Sequence, residues 1–454
     1  MTDRTWNRLI LYRPKSDTLF GQMLALRERA EWMEETTAAG DSKTGLHSDT
    51  EKATQLADEF LDRIHDLVTL CEEHGFSGNL WHCYLTYYLA YHENAYSRAC
   101  EIRGAVGGGI EQVALQDFAV IMELFAWNFS DLEALTGVSV MPLLRAYKAT
   151  EGNRKTFNRR IRDRIMQLSV ALSGCTAPEE FRSEITLFYR DFGVGKFGLH
   201  KAFRISHPEG EDHPQIVPIT NIAHVQLDDL VGYEAAKRKL IENTEAFVAG
   251  RSANNCLLYG DAGTGKSSSI KGILNRYYDQ GLRIIEVYQH QFRDLNDVIG
   301  QIKNRNYRFI LYMDDLSFED FETEYKFLKA VIEGGVETKP DNVLIYATSN
   351  RRHLIKETWG DRDDMERGGD EIHHSDTMHE KLSLVNRFGV TISFSLPNQK
   401  EYFNIVCQLA KRYPEITLSE KELCAEANKW ELAHGGISGR TAQQFINYLA
   451  GQSR

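Results

Sequence analysis

The chain has 454 residues, which is long for one domain and favours two or three, and 42% of its residues are hydrophobic, enough for packed cores. Its formal net charge of −12 opposes non-specific binding to nucleic acid unless a local basic patch provides it. The seven cysteines are scattered and form no C-x-x-C pair, which argues against a disulfide framework or a cysteine zinc site and favours reduced thiols in a cytosol.

The N-terminal end has no apolar signal-peptide segment, and no stretch is apolar enough to span a bilayer, so we expect a cytoplasmic protein without membrane contact. Residues 1–215 are predicted to form a mostly helical region of unknown role, with helices over 57–71, 80–103 and 111–125. The aromatic series in the second of these indicates a buried helix, with base stacking as the alternative. The basic run Arg154 to Arg164 is interpreted as a solvated helix face, with contact to nucleic acid or an acidic partner as the alternative.

The stretch Ser206 to Pro214 is interpreted as a linker, because it is rich in proline, glycine and charge. After it, short apolar runs alternate with helical patterns, which is typical of an α/β fold with a parallel sheet. The predicted strands are 256–259, 283–287, 309–313, 343–348 and 390–394, and helices over about 399–412, 420–433 and 439–449 follow Pro397. The predicted domains are therefore a helical region (1–215), an α/β core (216–396) and a small helical lid (397–454).

One segment between a predicted strand and a predicted helix matches the P-loop pattern G-x-x-x-x-G-K-[ST]: Gly260-Asp261-Ala262-Gly263-Thr264-Gly265-Lys266-Ser267. Its glycines leave room for backbone N–H groups to close around phosphate oxygens. Lys266 can reach the β- and γ-phosphates, and the Ser267 hydroxyl can hold Mg²⁺. Ser268 continues the helix, whose positive end would face the phosphates. The sequence therefore predicts a site for ATP and Mg²⁺.

Two aspartates follow the apolar strand Phe309–Met313, as in a Walker-B pattern. We expect this strand beside the P-loop strand, with Asp314 in the Mg²⁺ shell and Asp315 orienting or deprotonating the attacking water. A pair of surface carboxylates is the alternative. The next strand ends at Asn350, which we expect to bond the γ-phosphate or the water. Thr348 and Ser349 remain possible in that role, and a simple helix cap is the alternative.

Together with Asn386-Arg387-Phe388-Gly389 and with Gly439-Arg440 at a lid helix, these motifs resemble an AAA+ ATPase with a P-loop NTPase core. Over about 215–454 the chain also resembles a bacterial AAA+ family catalogued as domain of unknown function 815. The stretches that carry this resemblance are 230–234, 243–247, 253–255, 314–319 and 346–353.

The resemblance implies roles for residues outside the P-loop. Leu230, Val231 and Gly232 would line the adenine pocket, and Asn350 would be sensor 1. Arg387 would be an arginine finger that reaches the ATP of a neighbouring subunit, and Arg440 would be sensor 2 on the ATP of its own subunit. A homo-oligomer, as a ring or an arc, follows from that interpretation, because an arginine finger is worth about three to five orders of magnitude in rate.

Two features depart from the common AAA+ pattern. Most AAA+ motors carry Asp-Glu at the end of the Walker-B strand, whereas this chain has Asp314-Asp315. The side chain of the second aspartate is shorter than that of glutamate, which could slow hydrolysis or require a bridging water. Asp-Asp also occurs in replication initiators and relatives of helicase loaders. A polar insertion, Lys356 to Lys381, precedes the finger and is interpreted as a mobile solvated loop. Metal binding by its histidines is the alternative: His373, His374 and His379.

Three functions follow from these motifs. The first is an ATPase that remodels a protein or protein–nucleic-acid assembly through its helical N-terminal region. The second is a loader or initiator-like ATPase on nucleic acid, favoured by Asp314-Asp315 and the basic run and opposed by the acidic balance. The third is a nucleotide-gated scaffold with little hydrolysis. Threading of a polypeptide is disfavoured, because 288–292 contains no aromatic–hydrophobic–glycine triplet. The client protein is not predicted.

Overall fold

The computed structural model describes residues 8–38, 46–149, 158–210, 213–220, 222, 225–317, 324–333, 340–350 and 384–452. It divides the chain into two compact units, Met1–Leu199 and His200–Arg454. The predicted insertion Lys356 to Lys381, with its histidines, lies outside the described residues, as do Arg154 and Lys155 of the basic run.

The first unit is helical, as its apolar periodicity predicts. Its helices are α1 (Leu19–Ala38), α2 (Leu46–His74), α3 (Leu80–Tyr91), α4 (Ala95–Arg103), α5 (Gly109–Ala126), α6 (Ser130–Thr136), α7 (Met141–Arg145), α8 (Arg159–Ser173), α9 (Pro178–Phe192) and α10 (Gly195–Leu199). The single helix predicted over 80–103 is divided into α3 and α4. The reason is a capping box at Asn94, whose side chain accepts from the Ser97 N–H while the Ser97 hydroxyl accepts from the Asn94 N–H.

The aromatic series of α3 lies mainly in the core of this unit. Trp81 is fully buried, and its indole N–H donates to the carbonyl of Leu124 at 2.8 Å. Its ring meets Trp127 and Phe129 edge-on, with centroids 5.6 and 5.3 Å apart. Tyr91 is exposed at the end of the helix. These contacts support the interpretation of the series as a buried helix whose polar side-chain atoms have hydrogen-bond partners.

A buried carboxylate on α5 holds the N-terminal segment of the first unit. Asp117 is fully buried, and it accepts the backbone N–H groups of Ile10, Leu11 and Tyr12 at 3.0, 2.7 and 3.0 Å. Three consecutive amides thus surround one charge that burial has removed from water. The carboxylate therefore joins two segments more than a hundred residues apart in sequence.

Asp117→Ala should lower the free energy of unfolding of the first unit by about 3 kcal/mol, because three backbone N–H groups, of which that of Tyr12 is buried, lose their acceptor. The change should appear as faster hydrogen exchange at residues 10–12 and an earlier thermal transition. Glu123→Ala, at an exposed position of the same helix, is the matched control and should leave both unchanged. Wild-type protection at residues 10–12 in Asp117→Ala would contradict the prediction.

The second unit is organised around one sheet. Its described strands are β1 (Ala202–Ser206), β2 (Gln215–Pro218), β3 (Cys256–Gly260), β4 (Leu282–Glu286), β5 (Arg308–Met313), β6 (Val343–Ser349) and β7 (Val390–Phe394). Their order is β2-β1-β4-β5-β6-β3-β7, and all neighbours are parallel except β1 and β2. Every residue of β6 is buried, as expected for a parallel strand covered on both faces. The predicted α/β P-loop fold is confirmed.

The helices of the second unit connect these strands and then form the predicted lid. They are α11 (Glu234–Val248), α12 (Lys266–Tyr277), α13 (Leu295–Ile302), α14 (Glu324–Glu333), α15 (Gln399–Ala410), α16 (Glu420–Ala433) and α17 (Gly439–Gln452). The last three share a core of their own that includes Tyr402, Leu423 and Phe445. A capping box of Ser419 and Glu422 opens α16.

The boundary between the units differs from the sequence expectation. The predicted linker Ser206 to Pro214 lies inside the second unit, where it joins β1 to β2, and Phe203 pairs with Pro218 across that hairpin. The structure divides the chain after Leu199, whereas the sequence predicts a division after residue 215. Two short strands around a polar connection give too little alternation to be distinguished from a linker.

Candidate functional site

The sheet brings three functional segments to one edge, because parallel strands end at the same side. The P-loop follows β3, Asp314 and Asp315 follow β5, and Asn350 follows β6. The expectation that the aspartate-bearing strand lies beside the P-loop strand is wrong, since β6 lies between them. Near its end β6 carries Thr348, a polar residue, between the P-loop strand and the aspartates. The Thr348 hydroxyl donates to Asp314 Oδ1 at 2.6 Å.

A cavity of about 660 Å³ opens at this edge of the sheet. Its lining contains these predicted site residues: Leu230, Val231, Ala262, Gly263, Thr264, Gly265, Lys266, Ser267, Ser268, Asp314, Asp315, Asn350 and Arg440. Four others lie outside the lining, namely Gly232, Gly260, Asp261 and Arg387. The cavity therefore combines the phosphate-binding pattern, both aspartates and the lid arginine in one space.

Two P-loop glycines are required by close contacts. Gly260 has φ 135°, and a Cβ there would lie 2.0 Å from the carbonyl oxygen of Phe394 on β7. Gly263 has φ 77°, and a Cβ there would lie 3.0 Å from the Cβ of Arg440. The backbone N–H of Arg440 donates to the Gly263 carbonyl at 3.1 Å. The lid helix α17 thus begins directly on the P-loop.

Asp261 fastens the start of the P-loop to the chain that leaves β7. Its backbone N–H donates to the Phe394 carbonyl at 3.1 Å, and its Oδ2 accepts the Leu396 N–H at 3.1 Å. The segment after β7 leads into α15 of the lid. Two hydrogen bonds therefore join the P-loop to the connection between core and lid.

Lys266 points into the cavity and is 6% exposed. Its ammonium donates to the carbonyls of Gly260 and Asp261, both at 2.7 Å, and to Asn350 Oδ1 at 3.0 Å. Burial lowers the pKa of this lysine, although the nearby carboxylates oppose the shift. The ammonium is thus held by acceptors that a phosphate oxygen could replace.

A hydroxyl and a carboxylate form a donor set that fits Mg²⁺. The Ser267 hydroxyl donates to Asp314 Oδ1 at 2.7 Å, the same oxygen that accepts from Thr348. Burial acts to raise the pKa of Asp314, but the hydrogen bonds from Thr348 and Ser267 outweigh it, so the pKa lies below its ordinary value. Asp314 therefore stays ionised at neutral pH, as a metal ligand must.

Asp315 has a left-handed backbone, with φ 52°. Its N–H donates to the Thr348 hydroxyl at 2.9 Å, and its Oδ1 accepts from Asn350 Nδ2 at 2.7 Å. Aspartate is one of the few residues other than glycine that adopt this conformation readily. The local backbone thus favours the shorter acid at this position, which gives a structural basis for Asp-Asp in place of Asp-Glu.

The cavity lining also has apolar members, and it includes residues that the sequence does not predict. Ile405 and Leu409 of lid helix α15 line the cavity together with Leu230 and Val231. Lys237 on α11 also lines it, and its ammonium donates to the Leu230 carbonyl at 2.6 Å. The helical apolar spacing of α15 predicts that these residues are buried, but it does not predict which cavity they face.

Arg387 lies away from the cavity, at the opposite end of the sheet. It precedes β7, which runs parallel to β3 with Val390 opposite Cys256. A Cβ on Gly389 would lie 2.5 Å from Asn254 Oδ1, so this segment packs against the start of β3. The five residues of β3 separate it from the P-loop by about 13 Å of strand.

The chain matches one family model and short parts of two curated proteins. The model of the family described as "Protein of unknown function (DUF815)" matches residues 199–453. The replication factor C large subunit of Staphylothermus marinus is 35% identical over 74 residues, covering 16% of this chain and 17% of that protein. The chaperone protein ClpB of Mycoplasma genitalium is 28% identical over 109 residues, covering 20% of this chain and 15% of that protein. The chain thus spans less than a fifth of each curated relative.

Solved structures of RuvB from Thermotoga maritima are also similar. A variant with one substitution is 15% identical and covers 49% of this chain and 72% of that one, with a TM-score of 0.32. The Holliday junction branch migration motor itself is 14% identical with the same coverage and a TM-score of 0.30.

In the part of this chain that the structure describes, no helix has the length and apolar character to cross a membrane. With the family model covering more than half of the sequence, the chain belongs to the DUF815 family, and its second unit has an α/β P-loop fold.

Proposed function

We propose that this protein binds ATP with Mg²⁺ and hydrolyses it to remodel a protein or protein–nucleic-acid assembly. The observation that carries the proposal is a single cavity in which Lys266, Asn350 and Asp315 form a hydrogen-bonded series beside Ser267 and Asp314. In this proposal residues 216–396 bind the nucleotide, and residues 397–454 act as the lid.

The side chains that carry this proposal have distinct roles in phosphoryl transfer. Lys266 neutralises charge on the β- and γ-phosphates, and the P-loop amides enclose their oxygens. Asp315 accepts the proton of the attacking water or orients it, and Asn350, already bonded to Asp315, holds that water or the γ-phosphate. Ser267 and Asp314 would hold Mg²⁺, which would supply positive charge against the phosphates. Leu230 and Val231 contact the base.

The position of Arg387 supports an oligomer. A cation must meet the charge of the transition state, and Arg387 lies at the end of the sheet away from its own P-loop. In the proposal it therefore serves the ATP of the adjacent copy, while Arg440 reports on the ATP of its own subunit. A ring or an arc of copies satisfies this requirement with repeated contacts between unlike faces.

A protein client is favoured over nucleic acid. The net charge of −12 opposes a phosphate backbone, and two described arginines of the basic run are engaged locally. Arg162 contacts Asp163 at 2.6 Å, and Arg164 lies over the ring of Phe192 at 4.0 Å. The helical first unit supplies the surface for the client. A cytoplasmic location is part of the same proposal.

Asp315→Asn tests the hydrolytic part of the proposal. The amide keeps the shape of the side chain and tolerates the left-handed backbone, but it cannot accept a proton, so turnover should fall about 10²- to 10⁴-fold while ATP binding is retained. Phosphate release and light scattering, measured with ATP and Mg²⁺, should show assembly without turnover. A pull-down with this variant would then capture the client.

Other outcomes would change the conclusion. Turnover at the wild-type rate in Asp315→Asn would remove Asp315 from the chemistry. Assembly of the wild-type protein on ATP without turnover would favour a nucleotide-gated scaffold. ATP-dependent DNA binding that weakens with salt would favour a loader.

A further inference from the structure

A buried hydroxyl lies beside the proposed metal ligands. Tyr312 belongs to β5 two residues before Asp314, so the two side chains project from the same face of the sheet. The residue is 3% exposed, and its ring packs in the core between the sheet and α12. Its hydroxyl is close to Ser267, Asp314 and Thr348, yet among the residues that the structure describes none lies at the distance and angle of a hydrogen bond to it.

Burial of the Tyr312 hydroxyl without a hydrogen-bond partner destabilises the folded protein. A buried polar group without a partner costs about 1–3 kcal/mol, and phenylalanine would fill the same space without that cost. Tyr346, the neighbour of Tyr312 in the sheet register, shows the usual solution, because its hydroxyl meets Thr244 at 3.0 Å and Asn243 at 2.9 Å. A tyrosine at 312 is therefore explained best by a partner that arises when the site is occupied.

The hydroxyls around Asp314 indicate what that partner is. Ser267 and Thr348 both donate to Oδ1 of Asp314. A cation on Ser267 and Asp314 would require the carboxylate to turn an oxygen toward it, and a third donor close by could hold the carboxylate in that orientation. The phenolic hydroxyl of Tyr312 is a hydrogen-bond donor, so it can supply that third bond.

We propose that Tyr312 is a positioning residue for the divalent cation: its hydroxyl donates to the Asp314 carboxylate when Mg²⁺ binds. This inference rests on the proposed function, because it assumes nucleotide and Mg²⁺ at Ser267 and Asp314. The inference extends the site to Tyr312, which lies within β5. This residue would affect the affinity for the cation without contacting the nucleotide.

Tyr312→Phe in the full-length protein separates this role from simple packing. Without ligand, the variant should unfold at the wild-type temperature or above it, since it loses an unpartnered buried hydroxyl. A fluorescent ATP analogue should bind equally well to both proteins in EDTA. In a Mg²⁺ titration of analogue binding, the half-saturating Mg²⁺ concentration should rise about 10-fold, the lower end of the effect of losing such a supporting hydrogen bond.

Tyr346→Phe is the matched control on the next strand. It removes a partnered hydroxyl away from the cavity, so it should lower the unfolding temperature and leave the Mg²⁺ titration unchanged. Wild-type Mg²⁺ dependence in Tyr312→Phe would overturn the inference while leaving the proposed function in place. Absence of analogue binding by the wild-type protein, with or without Mg²⁺, would overturn the proposed function itself.

Discussion

Lys266→Ala is expected to weaken ATP binding by about 100-fold or more, because under the proposed function the ammonium would make charged hydrogen bonds to two phosphates, and no other P-loop side chain carries a positive charge. Hydrolysis should fall with it. The side chain is already buried and lines the cavity, so little side-chain conformational entropy would be lost when ATP binds. Titration with a fluorescent ATP analogue, followed by phosphate release at saturating ATP, measures the two effects separately.

The control for this change is a lysine of the same unit that has no part in the site. Lys421 is exposed on α16 of the lid, and Lys421→Ala should bind and hydrolyse ATP as the wild type does. Because Lys266 also bonds the Gly260 and Asp261 carbonyls, circular dichroism of Lys266→Ala should first establish that the core is folded. Turnover at the wild-type rate in a folded Lys266→Ala protein would refute the assignment of the site.

Arg387→Ala is expected to lower kcat by about 10³- to 10⁵-fold with little change in ATP affinity, because an arginine finger acts on the transition state. The result distinguishes a finger from a structural arginine, whose loss would lower stability and affinity together. Arg238→Ala, at an exposed position of α11, is the matched control and should retain activity. Unchanged kcat in Arg387→Ala would place the finger elsewhere.

Mixing the two inactive variants tests whether Arg387 acts in trans. An Arg387→Ala subunit keeps an intact P-loop, and a Lys266→Ala neighbour keeps an intact finger, so their contact forms a complete site. With random assembly at equal concentrations, about a quarter of the contacts should be complete, and turnover should return to that extent. A mixture as inactive as its components would show that Arg387 serves its own subunit or none.

Much of this site is predictable from sequence because its chemistry is local. The P-loop residues are contiguous, and Asp314 and Asn350 each follow an apolar run that predicts a buried strand. The carboxyl ends of parallel strands meet at one edge, so side chains that follow such strands can be predicted to lie near one another. The α/β core and the helical lid were predictable for the same reason.

The features that the sequence does not predict depend on long-range arrangement. Strand order places β6 between β3 and β5, and periodicity carries no information about such neighbours. Thr348 bridges the aspartates only because of that order. Lys237 was missed because its place in the cavity depends on how α11 packs, and the hairpin of β1 and β2 was missed because both strands are short.

The attachment of Asp261 to both Phe394 and Leu396 has a mechanical consequence. Under the proposed function, an arriving γ-phosphate would compete for Lys266 with the carbonyls of Gly260 and Asp261, and it would loosen the two peptide groups that border this attachment. That change would reach the start of α15 along the backbone, independently of Arg440. The lid would then sense bound nucleotide at two places, at the start of α17 on the P-loop and at the start of α15.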